Sequence, residues 1–396
     1  MSLVDHAIWW QVYPLGATGA PIRGGADAAA RLPRLEAWLD YAVELGCSGL
    51  LLGPIFASTS HGYDTVDHFR IDPRLGTDED FDRLVAAARK RGLAVMLDGV
   101  FNHVGVRHPM VDDPYSPIRR TDGRPVAWEG HGDLALLNHD DARTADLVVE
   151  VMRHWLGRGI AGWRLDVAYA VPSWFWRTVT DRVRAEFPDA VFVGEVIHGD
   201  YGRIADEGGL DSVTAYELWK GTWSAVKERN LWELAWALER HDTFSAGHVL
   251  QTFVGNHDVS RIASLVGDGG AVLALAVLMT TPGMPSVYYG DEQGFRGEKG
   301  SAEWADDALR PELPCTPEGL APYGWWLYRQ HQDLIGLRRR HPWLTRGRVR
   351  VVAKDNTRLT YETSGDGHAM QVQLSLDPVP SVRISVDGKD LYEWGA

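Results

Sequence analysis

The chain has 396 residues, of which 45% are hydrophobic and 24% charged, and its 40 basic and 54 acidic side chains leave a formal net charge of −14. This composition is ordinary for a globular protein. The acidic balance, with no basic run to offset it, excludes a phosphate backbone or an anionic lipid surface as partner. A length near 400 favours one large domain plus a small one. AIWWQVYP (7–14) reads as a first strand, and residues 31–45 have helical apolar spacing ending at Gly46, a C-cap glycine. CSGLLLGP (47–54) is a second strand, 78–91 a helix opened by Thr77 or Asp78, and LAVMLDGV (93–100) a third strand. Residues 103–139 lack periodicity and are long for a loop, so they read as a functional insertion.

Alternation resumes with helix 142–158, strand IAGWRLDV (160–167), helix 172–186 and strand AVFVGEV (190–196). A sixth strand is expected over Ser212–Tyr216, a seventh over 248–254, a helix over 271–280 and an eighth strand over 286–290. Eight such units close a (β/α)8 TIM barrel. An open doubly wound sheet is the alternative, but its glycine fingerprint is absent after the early strands. After a helix near 322–340, RVRVVAK, RLTYE, MQVQLSL and SVRISVD alternate between polar and apolar residues, as antiparallel strands do. The expected domains are a barrel over 1–102 and 140–344, an inserted domain B over 103–139, and a C-terminal antiparallel β domain over 345–396.

The N-terminus MSLVDHAIWWQVYP has no basic region followed by a long apolar stretch, and the run Ala271–Met279 is too short to span a bilayer. A cytoplasmic location is therefore expected, with no membrane or nucleic-acid partner. Cys47 and Cys315 are far apart, form no metal-type spacing and are expected to be unpaired. Seventeen tryptophans suit a core and also a sugar-binding cleft, because pyranose rings stack on indole faces.

Chemistry in such a barrel sits where strands end. Strand three ends in DGVFNH (Asp98, Asn102, His103), strand four in GWRLD (Arg164, Asp166), strand five in GEV (Glu195), and strand seven in FVGNHD (Asn256, His257, Asp258). Acids directly after apolar strands are costly to bury unless they work or pair. Glycoside cleavage needs a carboxylate at the anomeric carbon and a carboxylic acid for the departing oxygen, and a third anion favours the oxocarbenium-like transition state. Arg164, two residues before Asp166, shares its strand face and is expected to hold Asp166 ionised, while neighbouring negative charge is expected to keep Glu195 protonated.

These four motifs, in this order, resemble the signature regions of the α-amylase family, glycoside hydrolase family 13. GCSGLLLGPIF, HGYDTVDHFRIDPRLGT, LALLNHDD and VYYGDEQG are similar to further family segments, so the likeness runs from residue 7 to about 300. The resemblance implies a nucleophile at Asp166, a general acid/base at Glu195 and a transition-state stabiliser at Asp258. It also implies sugar contacts from His103, Arg164 and His257, stacking on Tyr63, substrate binding by Arg261 beside the stabiliser, and support of the site by Asp98 and Asn102. The motifs are most similar to neopullulanases, cyclomaltodextrinases and maltogenic amylases, without the N-terminal β domain of those enzymes. Tyr169-Ala170 replaces their Asn-Glu. Typical α-amylases have a calcium-linked His at the position of Ala170, so a structural calcium near Asn102 and the 103–139 insertion stays open but is less expected here than in those enzymes, and no cofactor is required. The implied activity is retaining hydrolysis of α-1,4 glucosidic bonds in maltooligosaccharides or related α-glucans, with α-1,6 bonds left open as a second specificity. A transglycosylase or isomerase such as a trehalose-forming enzyme is the alternative on the same scaffold. A catalytically dead carbohydrate-binding protein would be expected to have lost carboxylates that this chain keeps. Trp128 and His131, in the insertion, are candidates to line the cleft.

Overall fold

The computed structural model describes residues 2–23, 28–301 and 306–395. Eight parallel strands form one sheet: β1 Trp9–Val12, β2 Gly49–Leu52, β3 Ala94–Gly99, β4 Gly162–Leu165, β5 Val191–Gly194, β6 Ser212–Val213, β7 Gln251–Phe253 and β8 Met284–Tyr288. Their order is β6-β5-β4-β3-β2-β1-β8-β7, and a parallel bridge from Thr214 to Gln251 closes the ring between β6 and β7. The alternation of side chains along each strand sorts them into two cores. Trp9, Leu51, Met96, Val193 and Met284 fill the barrel, and their neighbours Trp10, Leu50, Val95 and Phe192 pack outward beneath the helices. Trp9 fits because Gly49 stands beside it: a Cβ there would lie 2.7 Å from the indole.

The helices around the barrel include α1 Leu39–Leu45, α2 Asp78–Lys90, α3 Ala142–Gly157, α4 Ser173–Arg184, α5 Tyr201–Gly208, α6 Tyr216–Lys227, α7 Leu231–Ser245, α8 Ile262–Thr280 and α9 Trp325–Arg340. The expected signals operate at their ends. Gly46 takes φ 98° after α1, and Thr77 opens α2 with a reciprocal capping box to Asp80. The helix expected over 31–45 is two pieces, Leu32–Glu36 and α1, separated at Trp38, whose ring stacks on Trp10 at 6.0 Å. The sixth strand is shorter than expected because Tyr216 already begins α6. The helix expected over 271–280 starts earlier, at Ile262, and is interrupted by Gly267 at φ 70°. By length and mean hydropathy (2.0) α8 could cross a bilayer, yet 67% of that window is buried inside the fold.

The insertion after β3, aperiodic in sequence, folds as a small antiparallel sheet. His103–Gly105 pairs with His131–Leu136, which pairs with Ala127–Trp128, over a core of Val104, Ile118, Ala135 and Leu137. After α9 comes a five-stranded antiparallel meander: β9 Arg348–Lys354, β10 Arg358–Gly365, β11 His368–Ser375, β12 Ser381–Val386 and β13 Lys389–Gly395. It docks on α7 and α8: Asp242 of α7 takes Arg348 and the Val349 N–H, and Thr363 bonds the carbonyl of Thr280. Both cysteines are unpaired, Cys47 buried and Cys315 exposed.

Just beyond β8, Glu292 is wholly buried, with Tyr41 and the Gly290 N–H as its hydrogen-bond donors. Burial pushes its pKa from 4.5 up to about 7. The unfolded chain releases this proton near 4.5, so the contribution of Glu292 to stability is complete below that pH and is lost as pH rises through about 7. Glu292→Gln, an uncharged isostere of the protonated form, is expected to flatten the fall in melting temperature between pH 5 and pH 8. An unchanged slope would show that Glu292 ionises in the fold as it does in water.

Candidate active site

At the C-terminal ends of the barrel strands, the ladder itself brings charges together. Arg164 on β4 is in register with Asp98 on β3, with Asp166 two residues on and Glu195 directly after β5. The Arg164 guanidinium, 3% exposed, serves three carboxylates: Nη1 donates to both oxygens of Asp98 at 2.8 Å and to Asp166 Oδ1 at 3.0 Å, and Nη2 pairs with Glu195 Oε1 at 2.7 Å. Burial raises the pKa of Asp166 well above its ordinary value; Arg164 opposes this, and Glu195, Asp98 and Asp258 add to the rise. Against the expectation that Arg164 would hold Asp166 low, burial outweighs this guanidinium, which Asp166 shares with Asp98 and Glu195. Burial likewise raises Asp98.

Glu195 is the best-served carboxylate of the three. Besides Arg164, Tyr216 donates to Oε1 at 3.1 Å and the Val167 N–H donates to Oε2 at 2.9 Å. Val167 reaches this position with φ 41° and ψ 42°, a left-handed backbone that a β-branched residue rarely adopts.

Asp258, beyond β7, lies in a different field. Its side chain is 33% exposed, with His257 Nε2 at 3.0 Å and Arg310 Nη2 at 3.1 Å. Partial burial pushes its pKa up, but His257 and Arg310 outweigh this and hold it far below the ordinary range. Gln11 donates to His257 Nδ1, which leaves the proton on Nε2, facing Asp258. The His257 ring lies between Tyr13 and Tyr63, near-parallel to both, and the Arg310 guanidinium covers the Tyr13 ring at 4.5 Å. Tyr63 donates to Asp98 and bonds His257, so it ties the two charged groups together.

A cleft of about 910 Å³ opens over these residues. Tyr63, His103, Asp166, Glu195 and Asp258 face it, as do Trp128 and His131 from the insertion. Burial lowers the pKa of His103 to about 4, and its ring stacks under Trp128 at 6.2 Å. Asn102 is buried behind it and bonds its Nδ1. Arg164, His257 and Asp98 are buried beneath the cleft floor. Arg261 departs from its expected role. It is 0% exposed, away from the cleft, and pairs with Asp291 and the carbonyls of Tyr289 and Leu309. Its effect on the site is indirect, because the Leu309 carbonyl it grips precedes Arg310. Among the described residues, no three His, Cys, Asp or Glu side chains converge as a metal site would require.

Sequence reasoning missed Arg310, Tyr216, Gln11 and Tyr13. Arg310 sits in a loop after β8 rather than at a strand end. Tyr216 had a signal, since it closed the segment expected as the sixth strand.

The description "Alpha amylase, catalytic domain" matches residues 32–122 and 130–313. The chain belongs to the α-amylase family. Within that family it is 34% identical over 360 residues to neopullulanase 2 of Thermoactinomyces vulgaris, covering 84% of this chain and 58% of the relative. It is 28% identical to a maltogenic α-amylase of Bacillus acidopullulyticus over 78% of this chain and 61% of the relative. The chain thus spans about three fifths of the length of these curated relatives. Among solved structures, the acarbose-soaked debranching enzyme of Nostoc punctiforme superposes with a TM-score of 0.77 at 26% identity, covering 94% of this chain and 89% of that one. The fold is also shared with the cyclic α-maltosyl-(1→6)-maltose hydrolase of Arthrobacter globiformis, at a TM-score of 0.82 and 24% identity, covering 99% and 98% of the two chains.

Arg310 is the residue whose loss separates Asp258 from its cation. Arg310→Gln is expected to lower glycosidase turnover about 10²-fold while melting within a few degrees of the parent. Undiminished turnover would show that His257 alone suffices to hold Asp258.

Proposed function

We propose that this chain is a retaining α-glycoside hydrolase that cleaves α-1,4 glucosidic bonds in maltooligosaccharides or related α-glucans, with α-1,6 bonds an open second specificity. One observation carries the reading: the single Arg164 guanidinium bridges Asp166 and Glu195 on adjacent strands, with Asp258 at the same mouth. Two carboxyl groups held by one planar cation suit the separation of about 5–5.5 Å that a retaining mechanism uses. The names of the relatives, neopullulanase, maltogenic amylase and cyclomaltodextrinase, support the substrate class. The name "Intracellular maltogenic amylase", carried by a Bacillus subtilis relative 31% identical over 74% of this chain, supports a cytoplasmic location.

In this reading Asp166 attacks the anomeric carbon and the glycosidic C–O bond breaks as Glu195 passes its proton to the leaving oxygen. Asp258, kept ionised, favours the positive charge that builds on the sugar ring. Glu195, now a carboxylate, takes a proton from water, whose oxygen displaces Asp166 and restores the α configuration. Both nucleophile and acid are side chains, so no step is assigned to a metal.

NMR of the first product is expected to show the α-anomer before mutarotation; initial β-anomer would sink the covalent route, and transfer products would place the enzyme among transglycosylases. Glu195→Gln should lose on the order of 10²-fold or more on a natural glucan and much less on an activated aryl α-glucoside, whereas Asp166→Asn should abolish turnover of both. Equal losses for Glu195→Gln on the two substrates would mean that the acid lies elsewhere.

The pH profile supplies a second check. Asp166 must be ionised to attack, and its pKa is raised by burial and its acidic neighbours. Activity is therefore expected to fall, as pH is lowered, well above the ordinary aspartate value of about 3.9. That limb belongs to the coupled carboxylates as a group. An acid limb in kcat/KM at or below about pH 4 would show that Arg164 governs Asp166 after all.

A further inference from the structure

Tyr216 stands in the first turn of α6 and has no role in the mechanism above. It is 7% exposed, with its ring set edge-on to Phe253 at 4.9 Å and to Trp219 at 5.7 Å. Its hydroxyl lies between two residues of the site: it donates to Glu195 Oε1 at 3.1 Å and accepts from Asn256 Nδ2 at 2.9 Å. A third bond sets the direction of both. The Asp258 N–H donates to Asn256 Oδ1 at 2.9 Å, so the amide must present its NH2 to the tyrosine. A phenol that accepts from Asn256 has its one proton left for Glu195.

We propose that Tyr216 is a positioning residue for Glu195, the end of a polarised relay from Asn256 through Tyr216 that anchors Oε1. This rests on the reading of Glu195 as the acid. The two oxygens of Glu195 then have different tasks. Oε1 is gripped by Arg164 and Tyr216, whereas the partner of Oε2 is the Val167 N–H. Protonating Oε2 gives up that one contact and leaves the anchor intact, so Oε2 carries the proton and delivers it into the cleft. When the proton has gone, the Tyr216 hydroxyl already points at the carboxylate that remains. The same Asn256 side chain holds the backbone of Asp258, so one amide fixes the acid and the stabiliser relative to each other.

The ionisable groups around Glu195 are Arg164 from β4, Asp166 just after it, Asp98 from β3, Tyr169 from the turn after β4, and Tyr216. Tyr216→Phe keeps the ring packing and removes the hydroxyl alone. Losing a donor to the carboxylate disfavours the ionised form, so the basic limb of kcat/KM is expected to move up by about one pH unit. The acid limb should stay in place, and kcat on a maltooligosaccharide at neutral pH should fall about tenfold. A role in packing alone would lower the melting temperature and leave both limbs unmoved, which would overturn the relay.

Asn256→Asp offers Tyr216 a second acceptor and draws its proton away from Glu195. The resulting movement of the basic limb should be smaller when the change is made in the Tyr216→Phe background, where the relay is already broken. Equal movement in both backgrounds would also overturn the proposal. A wild-type enzyme inactive on every α-glucan would sink the hydrolase reading and the relay together. An active wild type with an unmoved Tyr216→Phe limb would sink the relay alone.

Discussion

The site depends on a shortage of positive charge. One buried guanidinium, Arg164, meets three buried carboxylates, and the deficit cannot be made good by water at 3% exposure. A cluster so arranged keeps a proton more readily than isolated acids would, because full ionisation would leave uncompensated charge in a poorly solvated place. Asp258 escapes this constraint by having its own cation, Arg310, and its own imidazole, His257. The mouth of the barrel is therefore divided into a half where burial favours the protonated form of Asp98 and Asp166 and a half, at Asp258, that stays anionic. An acid-assisted displacement through a cationic transition state needs both.

The surrounding structure serves this division. The Arg310, Tyr13, His257 and Tyr63 groups stack as a column, with the first and third members reaching Asp258 and the last reaching Asp98. Behind the column, Gln11 and Arg261 act at one remove, the first by fixing a tautomer and the second by gripping the carbonyl before Arg310. Val167 is the place where local preference yields: a β-branched residue takes a left-handed backbone so that its N–H can meet Glu195.

The barrel was legible because parallel strands buried on both faces read as short apolar runs, and because acids that follow such runs have few structural explanations. Asp98, Asp166, Glu195 and Asp258 were found this way. Other features were hidden for physical reasons. Domain B gave no period because its strands are short and share a core of a few side chains. Arg310 approaches the site through a loop, where spacing carries no directional information. The raised pKa of Asp166 comes first from its burial and then from the acids gathered around one arginine, which only the three-dimensional arrangement reveals. Arg261 looked like a site residue because it follows FVGNHD closely, but the chain turns there and carries it into the core.

Helix α8 owes its composition to being covered. Its second half is buried from Gly270 to Thr280, with the barrel on one side and α9 and the C-terminal sheet on others, so no polar face was needed. The ribosome, however, releases α8 before α9 and well before Arg348, where the covering sheet begins. Until then the apolar length of α8 lacks the side chains of α9 and of the terminal sheet that cover it in the fold. Removing the terminal sheet would bare part of that apolar helix, so a truncation there is expected to cost solubility before it alters the distant cleft.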